Sequence, residues 1–152
     1  MKHIIERCGL VTILLGLMAS SILIVYSSYY IKIIRGYPQE FELELLDALQ
    51  NWLEGRKPGH LWMLLWASAL IEVLYFSLVF LVLSNPVILV ITGLIIIMEI
   101  WHLAVVFAKF RAFLTGSISC AAIFNWKLER VSALGFFTHS LIVLLTLLFF
   151  AR

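Results

Sequence analysis

LWMLLWASALIEVLYFSLVFLVLSNPVILVITGLIIIMEIWHLAVVFA, residues 61–108, holds two apolar runs separated only by Ser84-Asn85-Pro86. Each run exceeds the roughly 20 residues that a helix needs to cross about 30 Å of hydrocarbon. The Asn-Pro step stops one helix and opens the next. The stretch therefore predicts an antiparallel hairpin of two membrane spans, 61–83 and 87–108.

Two further apolar runs flank this hairpin, at residues 8–34 and 131–150. The chain is 63% hydrophobic and 13% charged, with mean hydropathy +1.06. Ordinary soluble domains are only about 45–50% apolar. The expectation is an all-α integral membrane protein in which residues 1–152 form one domain, a bundle of four transmembrane helices. No linker, charge block or internal repeat divides it. A net charge of +2, with no basic stripe away from the span ends, excludes nucleic acid as a partner and leaves the lipid bilayer as the principal one.

The opening MKHIIERCGLVTILLGLMASS resembles a secretory signal, with a basic start and a small-residue site near Ala19. Its apolar run continues to Ile34, too long for a cleaved signal, and is expected to serve as an uncleaved anchor. The two cysteines, Cys8 and Cys120, fall near opposite membrane faces, beyond the reach of a disulfide.

Four spans place both termini on one side, so the cations can be counted by side. Lys32, Arg35, Arg56, Lys57, Lys109, Arg111, Lys127 and Arg130 accompany the loops 35–60 and 109–130, against Lys2, Arg7 and Arg152 at the termini. The positive-inside rule then makes those loops cytoplasmic and puts both termini outside a plasma or inner membrane.

The first loop contains PQEFELELLDALQNWLE, residues 38–54, which reads as an amphipathic interfacial helix between helices one and two. Phe41, Leu45, Leu49 and Trp52 make an apolar stripe at helical spacing, and Pro38 and Gly55 suit its two ends. Its polar face is acidic, carrying Glu40, Glu42, Glu44, Asp47 and Glu54. Anionic lipid repels such a face, so the helix either covers the cytoplasmic end of the bundle or offers a docking surface to a protein partner. In the second loop, AFLTGSISCAAIF (residues 112–124) is uncharged and apolar, the length of a re-entrant segment or a short surface helix.

The ionisable side chains away from the span ends are Glu72, Glu99, His102 and His139. A charge at a span centre costs roughly 2.5–3.5 kcal/mol, so these groups should face protein or water. Glu72 precedes Asn85 by 13 residues and Glu99 follows it by 14, which at about 1.5 Å per residue puts both near 20 Å from the turn. Measured from Arg130 and Lys109, the histidines lie about 10–14 Å from the other face, so the four should fall within roughly a turn and a half. Glu72 shares a stripe with Ser68 and Tyr75, and Glu99 shares one with His102.

Three chemistries suit such a set. Buried carboxylates and imidazoles can pass protons or hold a dehydrated cation, which in a chain this short calls for a homo-oligomer or a larger membrane complex. Glu99-x-x-His102 has the spacing of a bundle metal ligand pair, so a transition metal on Glu72, Glu99, His102 and His139, or a haem between the two histidines, is the runner-up. The third is polar contact that fixes helix register in a scaffold or regulatory protein. Hydrolase, Walker and dinucleotide motifs are missing from the sequence, so no conventional enzyme is expected.

Overall fold

The computed structural model of the protein describes residues 2–53 and 59–150. These fold into helices α1 (Lys2–Ile34), α2 (Gln39–Leu53), α3 (Gly59–Val82), α4 (Pro86–Leu114) and α5 (Trp126–Phe150). A single 3₁₀ turn, Cys120–Ala122, lies between α4 and α5. Four of the helices, α1, α3, α4 and α5, are long and apolar enough to cross a membrane, which points to a membrane location.

The helix ends follow from their sequences. Asn85 caps α4 by accepting the Val87 N–H at 3.0 Å on its side-chain oxygen, with Pro86 in the first turn where its missing N–H costs nothing. α1 and α4 both end on a left-handed glycine. At Gly36 (φ +85°), Tyr37 N–H reaches back to the Lys32 carbonyl; at Gly116 (φ +73°), Ser117 N–H reaches the Ala112 carbonyl. Each is the double closure that satisfies a helix's last carbonyls and needs a residue without Cβ. Thr115-Gly116-Ser117 is thus the cap of α4 rather than the tip of a membrane hairpin.

α1, α3, α4 and α5 close into a ring: α1 packs against α3 and most extensively against α5, and α4 packs against the same two neighbours. At the α4–α5 contact the Met98 side chain packs over Gly135, where an added Cβ would sit 2.8 Å from Met98 Cε and displace that flexible tip. Toward the α3–α4 turn the ring is filled by Leu15, Ala19, Phe76, Val79, Phe136 and Val143. At the opposite end a second core gathers Leu61, Leu65, Val106, Phe110 and Ile123. The outward face stays apolar, with Ile24, Leu70, Leu81 and Leu148 each at least 70% exposed. An apolar surface of that extent calls for an apolar surrounding.

The helices outrun the apolar limits read from sequence. α4 continues to Leu114 and α5 begins at Trp126, so Glu129 and Arg130 belong to a helix rather than to a loop. Between them, residues 115–125 fold back alongside α4: Ile123 is fully buried against Val106 and Phe110, and Lys109 Nζ donates to the Ala122 carbonyl at 3.0 Å.

α2 crosses this same end. Its expected tail, Glu54, and the Gly55 cap lie outside the described residues. Glu42, assigned by sequence to the solvated acidic face, is instead 4% exposed. Arg130 of α5 grips it with two donors, Nε at 2.6 Å and Nη2 at 2.8 Å, and the Tyr29 hydroxyl of α1 donates to it at 2.8 Å. Phe41 stacks on Tyr29 beside this contact, with ring centroids 4.9 Å apart. A guanidinium fork on a carboxylate is both strong and directional, and here it ties α2 to two helices at once.

The Arg130 guanidinium, with help from the Tyr29 hydroxyl, holds the Glu42 carboxyl below its ordinary range. A carboxyl lowered on folding stabilises fully above its unfolded pKa and loses that contribution as pH falls through the folded value. Amide protection of α2 by hydrogen exchange should therefore hold at neutral pH and weaken only once pH drops below the usual carboxylate range. Glu42→Gln should reduce α2 protection about tenfold at neutral pH, the equivalent of about 1.4 kcal/mol, and remove this acid dependence.

Candidate functional site

Three-residue spacing on α4 puts Glu99 and His102 on one face, and their side chains meet: His102 Nδ1 lies 3.0 Å from Glu99 Oε2. The other ring nitrogen, Nε2, lies 3.0 Å from Glu129 Oε1 in the first turn of α5, where an acid also suits the helix dipole. The imidazole therefore bridges two carboxyl groups on two helices. Side-chain exposure falls along the series, 20% at Glu129, 12% at His102 and 3% at Glu99, so the chain of contacts runs from an accessible end into the bundle.

Hydrogen-bond chemistry sets the minimum proton count of this trio. A carboxylate can only accept, so two hydrogen bonds need at least an imidazolium between two carboxylates or a neutral imidazole with one carboxyl protonated. Both arrangements carry two protons and one net negative charge across the three groups. They differ only in where a proton sits along the same two contacts.

Glu72 approaches from α3, within electrostatic reach of both Glu99 and His102. Its Oε1 accepts from the Ser68 hydroxyl at 3.3 Å, as the shared stripe implies. Two carboxyl oxygens, Glu72 Oε2 and Glu99 Oε1, are buried without a hydrogen-bond partner. Glu99 as a residue is 2% exposed. A buried carboxyl oxygen with no donor carries a large desolvation cost, which a proton or a cation relieves.

Two cavities flank the trio, of about 310 Å³ and about 260 Å³. Tyr26, His102, Phe124, Glu129 and Ser132 line both, so they are two lobes on either side of the His102–Glu129 contact. α2 closes them with Phe41 and Leu45 on the larger lobe and Leu49 on the smaller. Glu72 lines the smaller lobe. Toward the α3–α4 turn the ring is packed by Leu15, Ala19, Val79 and Val143, each 0% exposed, while a smaller cavity of about 100 Å³ extends from Glu72 and Ser68 as far as Tyr75 and Phe136.

His139 stands apart, contrary to the expectation of four groups at one level. The Tyr75 hydroxyl lies 2.9 Å from its Nδ1 and Thr92 Oγ1 lies 2.8 Å from its Nε2. Thr92 Oγ1 also donates to the Ile88 carbonyl at 2.8 Å. The single Thr92 proton is thereby used, so Thr92 accepts from His139 Nε2–H and Tyr75 donates to Nδ1. Every donor and acceptor in that chain is matched, and His139, 1% exposed, is committed to holding α3, α4 and α5 in register.

The misplacement arose from treating Lys109 and Arg130 as marks of one level. Glu129 faces His102, so His139, ten residues farther along α5, sits about 15 Å above these two and, being level with Thr92, about 10 Å above Glu99. A haem bridging the two histidines, or a metal held by all four residues, does not fit that separation. Among the described residues no three His, Cys, Asp or Glu side chains converge as a metal site.

Sequence reading missed Glu129 and Glu42. Asn125, a cap-type residue before Trp-Lys-Leu-Glu, could have signalled that α5 starts early enough to carry Glu129. Glu42 is in register with Leu46, Leu49 and Leu53, so its place on the apolar stripe of α2 was readable.

Comparison with protein-family models, with curated proteins and with solved structures finds no match to this chain.

The division into two polar groups has a measurable consequence. Tyr75→Phe leaves His139 Nδ1 buried and unpaired and should cost about 1–3 kcal/mol, lowering the melting temperature in detergent. Glu72→Gln should be far milder, since Glu72 has one weak partner to lose. Equal destabilisation by the two substitutions would merge the sites again.

Proposed function

We propose that the chain is an integral membrane protein whose Glu72, Glu99, His102 and Glu129 cluster supports proton or cation movement. The observation that carries this reading is the Glu129–His102–Glu99 series, graded in exposure and joined by two hydrogen bonds that need at least two protons among the three groups. Glu129 takes a proton at the accessible end, His102 receives it on Nε2 while releasing another from Nδ1, and Glu99 accepts the latter. The unpartnered oxygens of Glu99 and Glu72 give the proton or cation its terminal station.

Orientation follows from the cation count: the end that α2 covers is cytoplasmic, both termini are outside, and α2 is interfacial. The packed end beside the α3–α4 turn describes a single state of a carrier, and reaching the other side needs a second arrangement of helices. Several copies, or a larger complex in a plasma or inner membrane, would supply the moving interface that a single small bundle lacks.

Proteoliposomes loaded with a pH-sensitive dye test the reading. Purified protein should dissipate an imposed pH gradient, and Glu99→Gln should slow that flux about a hundredfold while the melting temperature stays near wild type. Tyr75→Phe should do the reverse, losing stability while the residual folded protein keeps its flux. Undiminished flux in Glu99→Gln would overturn the proposal.

A further inference from the structure

The cavities are the wrong shape and lining for a proton or a bare metal cation alone. Lobes of about 310 and 260 Å³ lie in the range of small-molecule pockets, whereas a dehydrated inorganic ion needs a tight oxygen cage. Their walls are chiefly apolar and aromatic. Tyr29, Phe41 and Trp126 face the larger lobe, Leu49, Leu65 and Phe110 the smaller, and Tyr26 and Phe124 both. Among the described residues the charges on these walls are Glu72, Glu129 and whatever His102 carries, and no described lysine or arginine lines either lobe. Arg130, the nearest candidate by sequence, is turned onto Glu42 through both Nε and Nη2.

From this lining we infer that the two lobes form the binding site of an amphipathic organic cation, an ammonium or phosphonium centre on an apolar body. The inference rests on the proton- or cation-moving reading and names its substrate class. The cationic centre sits beside Glu72, the carboxyl group that α3 contributes to the wall of the smaller lobe, and the aromatic faces of Tyr26 and Phe124 complete its surroundings. The apolar body occupies the space under α2, where Phe41, Leu45 and Leu49 replace water. An anion meets the Glu72 and Glu129 carboxyl groups and a His102 ring whose two nitrogens are already engaged by Glu99 and Glu129, and a neutral molecule offers the Glu72 carboxylate no counter-charge, so the site selects by charge as well as by shape. Binding of the cation and protonation of Glu72 are alternative ways of compensating the same carboxylate and therefore compete.

Radiolabelled tetraphenylphosphonium, compared with tetraphenylborate of the same shape and opposite charge, tests the inference on full-length protein in lipid nanodiscs. Expected are saturable phosphonium binding above empty nanodiscs, no saturable borate binding, and affinity that rises with pH as protons leave the competing carboxyl. Glu72→Gln should weaken binding about tenfold or more, the loss of one charged partner. Leu49→Trp, which fills the smaller lobe from α2 without touching a charge, should weaken it as well, and circular dichroism checks that both variants stay folded. Equal binding of both ions, or phosphonium binding indifferent to both substitutions, would overturn the inference. The pH-gradient assay on the same wild-type preparation separates the two levels: flux without phosphonium binding sinks the substrate class alone, and binding without flux sinks the transport reading while leaving the site.

Discussion

The contact between His102 and Glu129 sets the offset of α4 against α5, and the remaining geometry depends on that offset. With these residues opposite each other, α4 runs on for twelve residues past His102 to Leu114, while α5 has only just begun. The connecting segment must therefore climb back along α4 by about 18 Å, which is why Ile123 ends up buried against Val106 and Phe110 rather than on the surface. The same offset lifts His139 to the level of Thr92 and Tyr75 and places Arg130 where α2 can reach it. In apolar surroundings polar side chains have few places to go, so each pairing that forms constrains all the others.

The bundle is divided by its chemistry. Toward the α3–α4 turn, Leu15, Val79 and Val143 pack around one polar chain whose donors and acceptors all match. That is how a buried polar group serves register without serving reactivity: no lone pair or proton is left over. Toward α2 the polar groups do not balance. Three carboxyl groups meet one imidazole and one serine hydroxyl, two oxygens have no donor, and space is left beside them. Both ends hold histidines in similar sequence settings, and the difference between them lies in satisfaction rather than in residue type.

That distinction marks how far the sequence could be read. Apolar run length and the Ser-Asn-Pro turn give the four long helices, because crossing length and turn chemistry are local properties. Glu99 with His102 and Glu72 with Ser68 were legible for the same reason, being three or four residues apart on one helix. Partnerships between helices were not. Hydropathy draws a helix end where apolar residues stop, yet α5 starts five residues before its apolar run, and Glu129 lies in that gap. Glu42 was assigned to solvent on composition, although its position on the leucine stripe of α2 pointed inward; an acid on an apolar stripe asks for a cation, and which cation is a long-range fact.

The pairing of Glu42 with Arg130 also bears on the charge of the site. Arg130 follows Glu129 directly, and its guanidinium is held by Glu42, whose neighbour Phe41 and hydrogen-bond partner Tyr29 line the larger cavity. Glu42 occupies that guanidinium with two short hydrogen bonds, and Tyr29 completes the carboxylate's shell. The pair is neutral and self-satisfied, so it adds no positive charge to the cluster of Glu72, Glu99, His102 and Glu129. α2 thus contributes an apolar wall through Phe41, Leu45 and Leu49 and, one residue from Phe41, the acid that keeps a cation out of the site. A helix that merely covered the bundle would need only the first of these. Glu42 gains nothing from solvent and lies on the stripe that faces the bundle, so the sequence of α2 fits the cavity it closes in both shape and charge.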